Sequence, residues 1–185
     1  MGLLDGKTAL IVGIANERSY AWHIAKALID HGATCAFTCL PGDKNERRTR
    51  RAVEALPDNG GADPLITPMD AGSDEDIDAA ISAFEARHAA LHVLVHSIAF
   101  ADREYLAKDK FIETPREAFL GAVDISAYTL LGLTRRCREL LAREGGSVMA
   151  MSYYGAEKVV PGYNVMGVAK ATLEATARYL AGELG

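Results

Sequence analysis

Lys7-Thr8-Ala9-Leu10-Ile11-Val12-Gly13-Ile14-Ala15-Asn16-Glu17-Arg18-Ser19-Tyr20-Ala21 is the stretch on which the fold turns. Its apolar run from Ala9 to Val12 has no polar alternation, as a strand covered on both faces requires. Gly13 follows at once and lets the chain turn sharply. From Tyr20 to His31 the residues Ala21, Ile24, Ala25 and Leu28 recur at helical spacing, and Gly32 stands where a left-handed helix terminus is wanted. A buried strand that turns tightly into an amphipathic helix is the opening of a strand-helix-strand unit.

The same alternation continues along the chain. A second strand is expected from Ala33 to about Leu40, and a charged helix around Glu46 to Leu56. A Pro/Gly-rich link leads to a short strand near Leu65-Ile66-Thr67. Ser73 and Asp76 then open a helix with Ile77, Ile81 and Phe84 as its buried stripe. His92 to His96 reads as the fourth strand. Thr114-Pro115-Arg116-Glu117 opens a long apolar pattern that runs to about Arg143 as one helix or two, and Ser147 to Ser152 is the fifth strand. Strands and helices in this order predict an α/β fold, a doubly wound parallel sheet in three layers α/β/α. Its crossovers are right-handed, and ligands bind at the carboxyl ends of the strands. Residues 1–185 are expected to form a single domain.

Composition narrows the function. A hydrophobic content of 49% with 24% charged residues describes an ordinary core and a solvated surface. The formal net charge of -5 gives no electrostatic case for nucleic acid. Neither a membrane-spanning run nor a signal peptide is visible, so a cytoplasmic protein is expected. Cys35, Cys39 and Cys137 are odd in number and lack metal-ligand spacing. They read as small buried hydrophobes, with no metal site.

Two places carry chemistry. The segment after the first strand lacks the three-glycine dinucleotide fingerprint, yet Gly13 allows close approach of a pyrophosphate and Ser19 offers a hydroxyl near a helix start whose amino end favours anions. Farther on, Tyr163 and Lys170 lie seven positions apart. At about 3.6 residues per turn, that spacing sets a phenol and an ammonium on one helix face. His96, at the end of its strand, reads as structural, as do Trp22 and Tyr20 beside the first helix. Asp124 falls at a polar position within the long helical pattern.

Four motifs in order, Gly13-x5-Ser19-x-Ala21, His96-Ser97-Ile98-Ala99-Phe100, Ser152-Tyr153-Tyr154-Gly155-Ala156-Glu157 and Tyr163-x6-Lys170, resemble the enoyl-acyl-carrier-protein reductases, divergent members of the short-chain dehydrogenase group with a Rossmann-like fold. The resemblance runs from Gly2 to the end of the chain and implies reduction of a trans-2-enoyl thioester by a nicotinamide cofactor. Carried over, it makes Tyr163 the active-site tyrosine, Tyr153 a second tyrosine facing substrate, and Lys170 the ligand of the cofactor ribose. Gly13, Ala15, Ser19 and Tyr20 would line the pyrophosphate. Asp70 and Ala71 would lie near the adenine, Leu40 beside the ribose end, and Ser97, Ile98 and Ala99 along the cofactor. Phe100, Tyr153, Tyr163 and Met166 would wall the acyl chain. The chemistry agrees with these roles, because hydride delivered to the β carbon leaves an enolate whose oxygen needs a donor. One such donor is worth about 3 kcal/mol.

Most short-chain dehydrogenases place their tyrosine four residues before the lysine, and Met166 stands there instead. A ketone or alcohol dehydrogenase is therefore the second reading, and a non-catalytic nucleotide-binding regulator the third. NADH is the expected cofactor, with NADPH as the alternative. Leu40-Pro41-Gly42-Asp43 lacks the carboxylate usual just after the second strand, while Lys44, Arg47, Arg48, Arg50 and Arg51 follow. That basic run suits a solvated helix face, a grip on a 2′-phosphate, or docking of an acidic carrier protein. The family resemblance implies a homotetramer, and the apolar pattern from Phe119 to Leu141 points to subunit contacts. It also implies two further strands and a mobile helical segment beyond Gly185, so impaired activity is expected of the isolated 185 residues.

Overall fold

The structure is a computed structural model that describes residues 2–61 and 63–185; Ala62, in the Pro/Gly-rich link, lies outside the described residues. The chain divides into two compact units, Met1–Ser97 with Thr134–Met149, and Ile98–Leu133 with Ala150–Gly185.

The first unit is built on β1 (Thr8–Val12), β2 (Thr34–Cys39), β3 (Ile66–Pro68), β4 (Val93–His96) and β5 (Ser147–Ala150), which form one sheet in the order β3-β2-β1-β4-β5. β1 pairs in parallel with β2 on one side and β4 on the other, so the winding direction reverses at β1. In such sheets the crevice for ligands opens at the carboxyl ends of the strands flanking that reversal. Helices α1 (Tyr20–Asp30), α2 (Asp43–Glu54) and α3 (Asp74–Glu85) supply the crossovers. The apolar run read as buried is so: Ala9, Ile11 and Val12 have no exposed surface, and Leu10 is 2% exposed. Ala21, Ala25 and Ile29 of α1 pack with Ile11, Phe37 and Val95 in the core, where each large side chain contributes about 1.5–3 kcal/mol. Trp22 is structural, as read: its indole N–H donates to the Ala52 carbonyl at 2.7 Å and joins α1 to α2.

At the amino edge of the sheet the Thr8 N–H donates to His92 Nδ1 at 3.0 Å, and the opposite ring nitrogen faces the Glu144 carboxylate at 2.9 Å. The Thr8 bond makes Nδ1 the acceptor, so Nε2 carries the hydrogen. That hydrogen bond, with the neighbouring Lys7, holds the Glu144 carboxyl below its usual range.

The second unit comprises a 3-10 turn at Arg103–Leu106, α4 (Arg116–Val123), a π-helical segment Asp124–Tyr128, the start of α5 (Thr129–Ala142), a 3-10 turn at Tyr154–Ala156, and α6 (Asn164–Leu184). Val165, Met166 and Ala169 of α6 pack on Ala122 of α4, and Leu173 packs on Ala127 and Leu130.

Several expectations shift. The second helix starts at Asp43, three residues early, because Gly42 at φ 108° turns the chain directly off β2. The fifth strand ends at Ala150, short of Ser152. The long apolar pattern is two helices joined by π turns, with Asp124 exposed at the junction. The three cysteines are free and buried, as read, and burial pushes the Cys35 and Cys137 thiols up to about 12.

Candidate functional site

The residues expected to hold a nucleotide in the first unit follow the carboxyl ends of four parallel strands. Gly13 comes straight after β1 at φ 100°, a conformation open to glycine and strained for other residues. Ser19 is the N-cap of α1: its hydroxyl accepts the Trp22 N–H at 3.3 Å and donates to the Asn16 carbonyl at 2.6 Å. The first turn of α1 holds no acidic side chain, so the positive end of that helix keeps its affinity for an anion. Ala15 is half-buried, Tyr20 is 75% exposed and Leu40, just past β2, is 60% exposed. Thr49 of α2 donates to the Ile14 carbonyl at 3.2 Å and fixes the loop from the other side. Asp70 and Ala71 follow β3 in a loop ordered by Asp76, whose carboxylate accepts the Asp70 N–H at 2.9 Å. Ser97 extends β4, its N–H donating to the Val12 carbonyl. The basic run of α2 is solvent-exposed throughout.

The second unit holds the candidate chemistry. Tyr163 is not inside α6. It is the N-cap residue, and Asn164 after it takes a left-handed φ of 41°. The two-turn phase argument therefore stops at Asn164, because one left-handed residue breaks the helical projection. Asn164 is held there by its side-chain amide, which donates to the Tyr105 and Ala107 carbonyls at 2.7 and 2.8 Å. Tyr163 owes its placement to packing instead. Its ring stands 4.7 Å, centroid to centroid, from that of Tyr153, and it lies so close over Gly155 that a Cβ there would sit 2.4 Å from Tyr163 Cδ1. Gly167 of α6 presses on the Gly155 carbonyl from beneath. Burial, with the Tyr153 phenol adding, raises the Tyr163 hydroxyl above the ordinary phenol range and keeps it protonated. It is a donor in waiting.

Lys170 is 6% exposed, and its ammonium donates to the Met151 carbonyl at 2.6 Å, just past β5. Burial holds that ammonium below the usual lysine range. A lysine has three donors, and two vicinal hydroxyls of a ribose suit the remainder. Ile98, Ala99 and Phe100 form the segment after β4. Phe100 is 54% exposed, with its backbone clamped by Ser126, whose hydroxyl both accepts the Phe100 N–H and donates to the Phe100 carbonyl at 3.0 Å. Met166 is 8% exposed and packs with Val165 and Ala169, nearer core than wall. Tyr163 also borders a cleft of about 460 Å³ lined by Phe111, Val159, Val160 and Val168.

Ser126, Asn164 and the paired glycines were missed from the sequence. Gly155 and Gly167 were visible as glycines beside a helix start, whereas the π turn that aims Ser126 leaves no mark in the apolar pattern.

Comparison with known proteins agrees with this architecture. The family model described as Enoyl-(Acyl carrier protein) reductase matches residues 13–185. The chain is 48% identical over 181 residues to the enoyl-[acyl-carrier-protein] reductase [NADH] FabI of Aquifex aeolicus, covering 98% of this chain and 64% of that protein. It is 42% identical to the Bacillus cereus FabI, covering 100% of this chain and 70% of that one. The crystal structure of the Bacillus cereus reductase with NADP+ and indole naphthyridinone superposes with a TM-score of 0.93 at 41% identity, over 100% of this chain and 70% of that one. The Anaplasma phagocytophilum reductase in complex with NAD gives 0.91 at 39% identity, over 100% of this chain and 68% of its own. The chain thus spans about two thirds of the length of these relatives, between 64% and 70%. At that identity, and with a family match over most of its length, the chain belongs to the enoyl-acyl-carrier-protein reductase family.

Proposed function

We propose that this chain reduces the carbon-carbon double bond of trans-2-enoyl thioesters carried on acyl carrier protein, with NADH as reductant, in fatty-acid elongation. The observation that carries the reading is the half-buried phenol of Tyr163, kept protonated and fixed by Gly155 and Tyr153, with the buried Lys170 ammonium on the helix that follows. Each unit holds residues that suit part of the cofactor: in the first, Gly13 gives close backbone approach and the acid-free start of α1 suits a pyrophosphate, and in the second Lys170 brings donors for a ribose. Bound there, NADH supplies the hydride that goes to the β carbon of the thioester. The Tyr163 hydroxyl then donates to the enolate oxygen, a stabilisation of about 3 kcal/mol in a dry cleft, and Lys170 holds the ribose and adds positive charge. Tyr153 and Phe100 cover the acyl chain.

A ketone reductase needs a proton delivered at once from a tyrosine four residues before the lysine. Met166 occupies that position and is buried, which disfavours the alternative. The lack of a carboxylate at Leu40 leaves room for NADPH, and the exposed basic face of α2 would meet its 2′-phosphate. Residues 1–185 act in this reading as one dinucleotide-binding domain of a cytoplasmic homotetramer. Exposed Phe119, Leu120, Tyr128 and Leu131 around the α4–α5 junction would supply its contacts. Among the described residues no helix is long and apolar enough to cross a membrane. Following NADH and NADPH oxidation with and without crotonyl thioester tests the proposal. Oxidation that depends on the enoyl thioester supports it, and equal consumption with and without thioester rejects it.

A further inference from the structure

Two side chains one turn apart on α6 grip consecutive residues of the same loop. Lys170 donates to the Met151 carbonyl at 2.6 Å, and Glu174 accepts the Ser152 hydroxyl at 2.5 Å. The Met151 carbonyl and the Ser152 nitrogen belong to one rigid peptide plane, and the Ser152 Cα ends that plane. Lifting of the loop from α6 would carry the carbonyl out of reach of the ammonium. Holding the Ser152 hydroxyl from α6 opposes that displacement, so the residue next to the oxygen that aims Lys170 is tied by a second, separate bond to the same helix. Ser152, Tyr153 and Tyr154 are exposed, and β5 has already ended at Ala150, so Ser152 lies between the last strand residue and the turn that packs on Tyr163. Commitment to Glu174 also occupies the Ser152 proton, so that hydroxyl serves the loop and is not aimed at substrate.

We propose that Glu174 is a positioning residue of the site: by accepting the Ser152 hydroxyl it holds the loop against α6, and with it the Met151 carbonyl that directs the Lys170 ammonium. The proposal deepens the functional reading above and rests on it for its link to cofactor binding. Losing the bond leaves Lys170 in place but lets its ammonium wander, so the cost falls on cofactor affinity ahead of the chemical step.

The test compares Glu174→Ala, Glu174→Gln, Ser152→Ala and the Glu174→Ala/Ser152→Ala double variant. NADH affinity is read by fluorescence titration, the Lys170 side chain by ¹⁵N nuclear magnetic resonance, and folding by circular dichroism. Glu174→Ala and Ser152→Ala should each weaken NADH binding roughly fivefold, the scale of one hydrogen bond, and move the Lys170 signal alike. The double variant should be no worse than either, because both remove one bond. Glu174→Gln keeps an acceptor oxygen at the same reach and should restore affinity. Additive losses, a Gln variant as impaired as the Ala variant, or an unmoved Lys170 signal with unchanged affinity would overturn the proposal. Should Glu174→Ala fail to fold, Ser152→Ala removes the same bond from the exposed loop and decides alone. A parent chain that binds no NADH would defeat the functional reading, and the Lys170 signal then decides the clamp by itself.

Discussion

Adding one methyl group at Gly155 should do more harm to catalysis than to folding. A Cβ built there lies 2.4 Å from Tyr163 Cδ1 and 2.9 Å from Cε1, with Tyr153 Cδ1 at 3.3 Å. Carbon-carbon contact is comfortable at about 3.5 Å, so the Tyr163 ring must retreat by about 1 Å. A stiff ring offers no flexible end to swing aside. Gly155 is absent from the glycines with left-handed backbone, so Gly155→Ala brings the contact without added backbone strain. Overpacking of this kind costs about 1–3 kcal/mol of stability. A displacement of about 1 Å at a donor aimed at developing charge costs roughly a hundredfold in rate. NADH affinity should change little, because Lys170 is anchored on Met151 and not on Gly155. The assay is kcat on crotonyl thioester at saturating NADH, beside a thermal melt and a fluorescence titration of NADH. A lowered melting temperature with kcat equal to that of the parent would refute the claim that the ring position matters.

Ser19→Ala removes the N-cap of α1 and should cost about 1 kcal/mol in urea unfolding, together with weaker NADH binding; unchanged stability would deny the cap its role. In alkaline titrations Lys170, whose range burial lowers, should lose its charge at lower pH than an ordinary lysine does. NADH affinity should decline with it, and an affinity that persists through the ordinary lysine range would contradict the assignment. The Cys35 and Cys137 thiols, raised to about 12 from 9.0, stay protonated in the folded chain while the unfolded chain ionises. Their contribution to stability is complete below pH 9.0 and is lost as pH climbs toward 12, so alkaline unfolding should come later in a Cys35→Ala/Cys137→Ala variant after correction for its lost packing. Aromatic disulfide reagents should label neither thiol until the protein opens.

How far the sequence reached depended on whether a feature was local. The run Ala9 to Val12, the helix that follows and the glycine at 32 each declare themselves through periodicity and backbone freedom, and from their repetition the parallel sheet follows. Gly32 indeed has φ 98°. The spacing of Tyr163 and Lys170 does not by itself place both in one helix, because Tyr163 is the N-cap and the left-handed turn at Asn164 depends on carbonyls of Tyr105 and Ala107 far back in the chain. The same holds for Ser126. Its grip on Phe100 needs an extra residue per turn at Asp124–Tyr128, and nothing in the apolar pattern distinguishes a π turn from the α-helix around it. Glu174 likewise meets Ser152 only through the fold, across 22 residues of sequence.

Substituting Tyr163 by phenylalanine tests the central claim most directly, because it keeps the ring that packs on Gly155 and Tyr153 and removes the hydroxyl alone. The account predicts kcat for enoyl thioester reduction lowered about a hundredfold, with NADH affinity and melting temperature held at parental values. A Tyr163→Phe protein that turns over at the parental rate would contradict it.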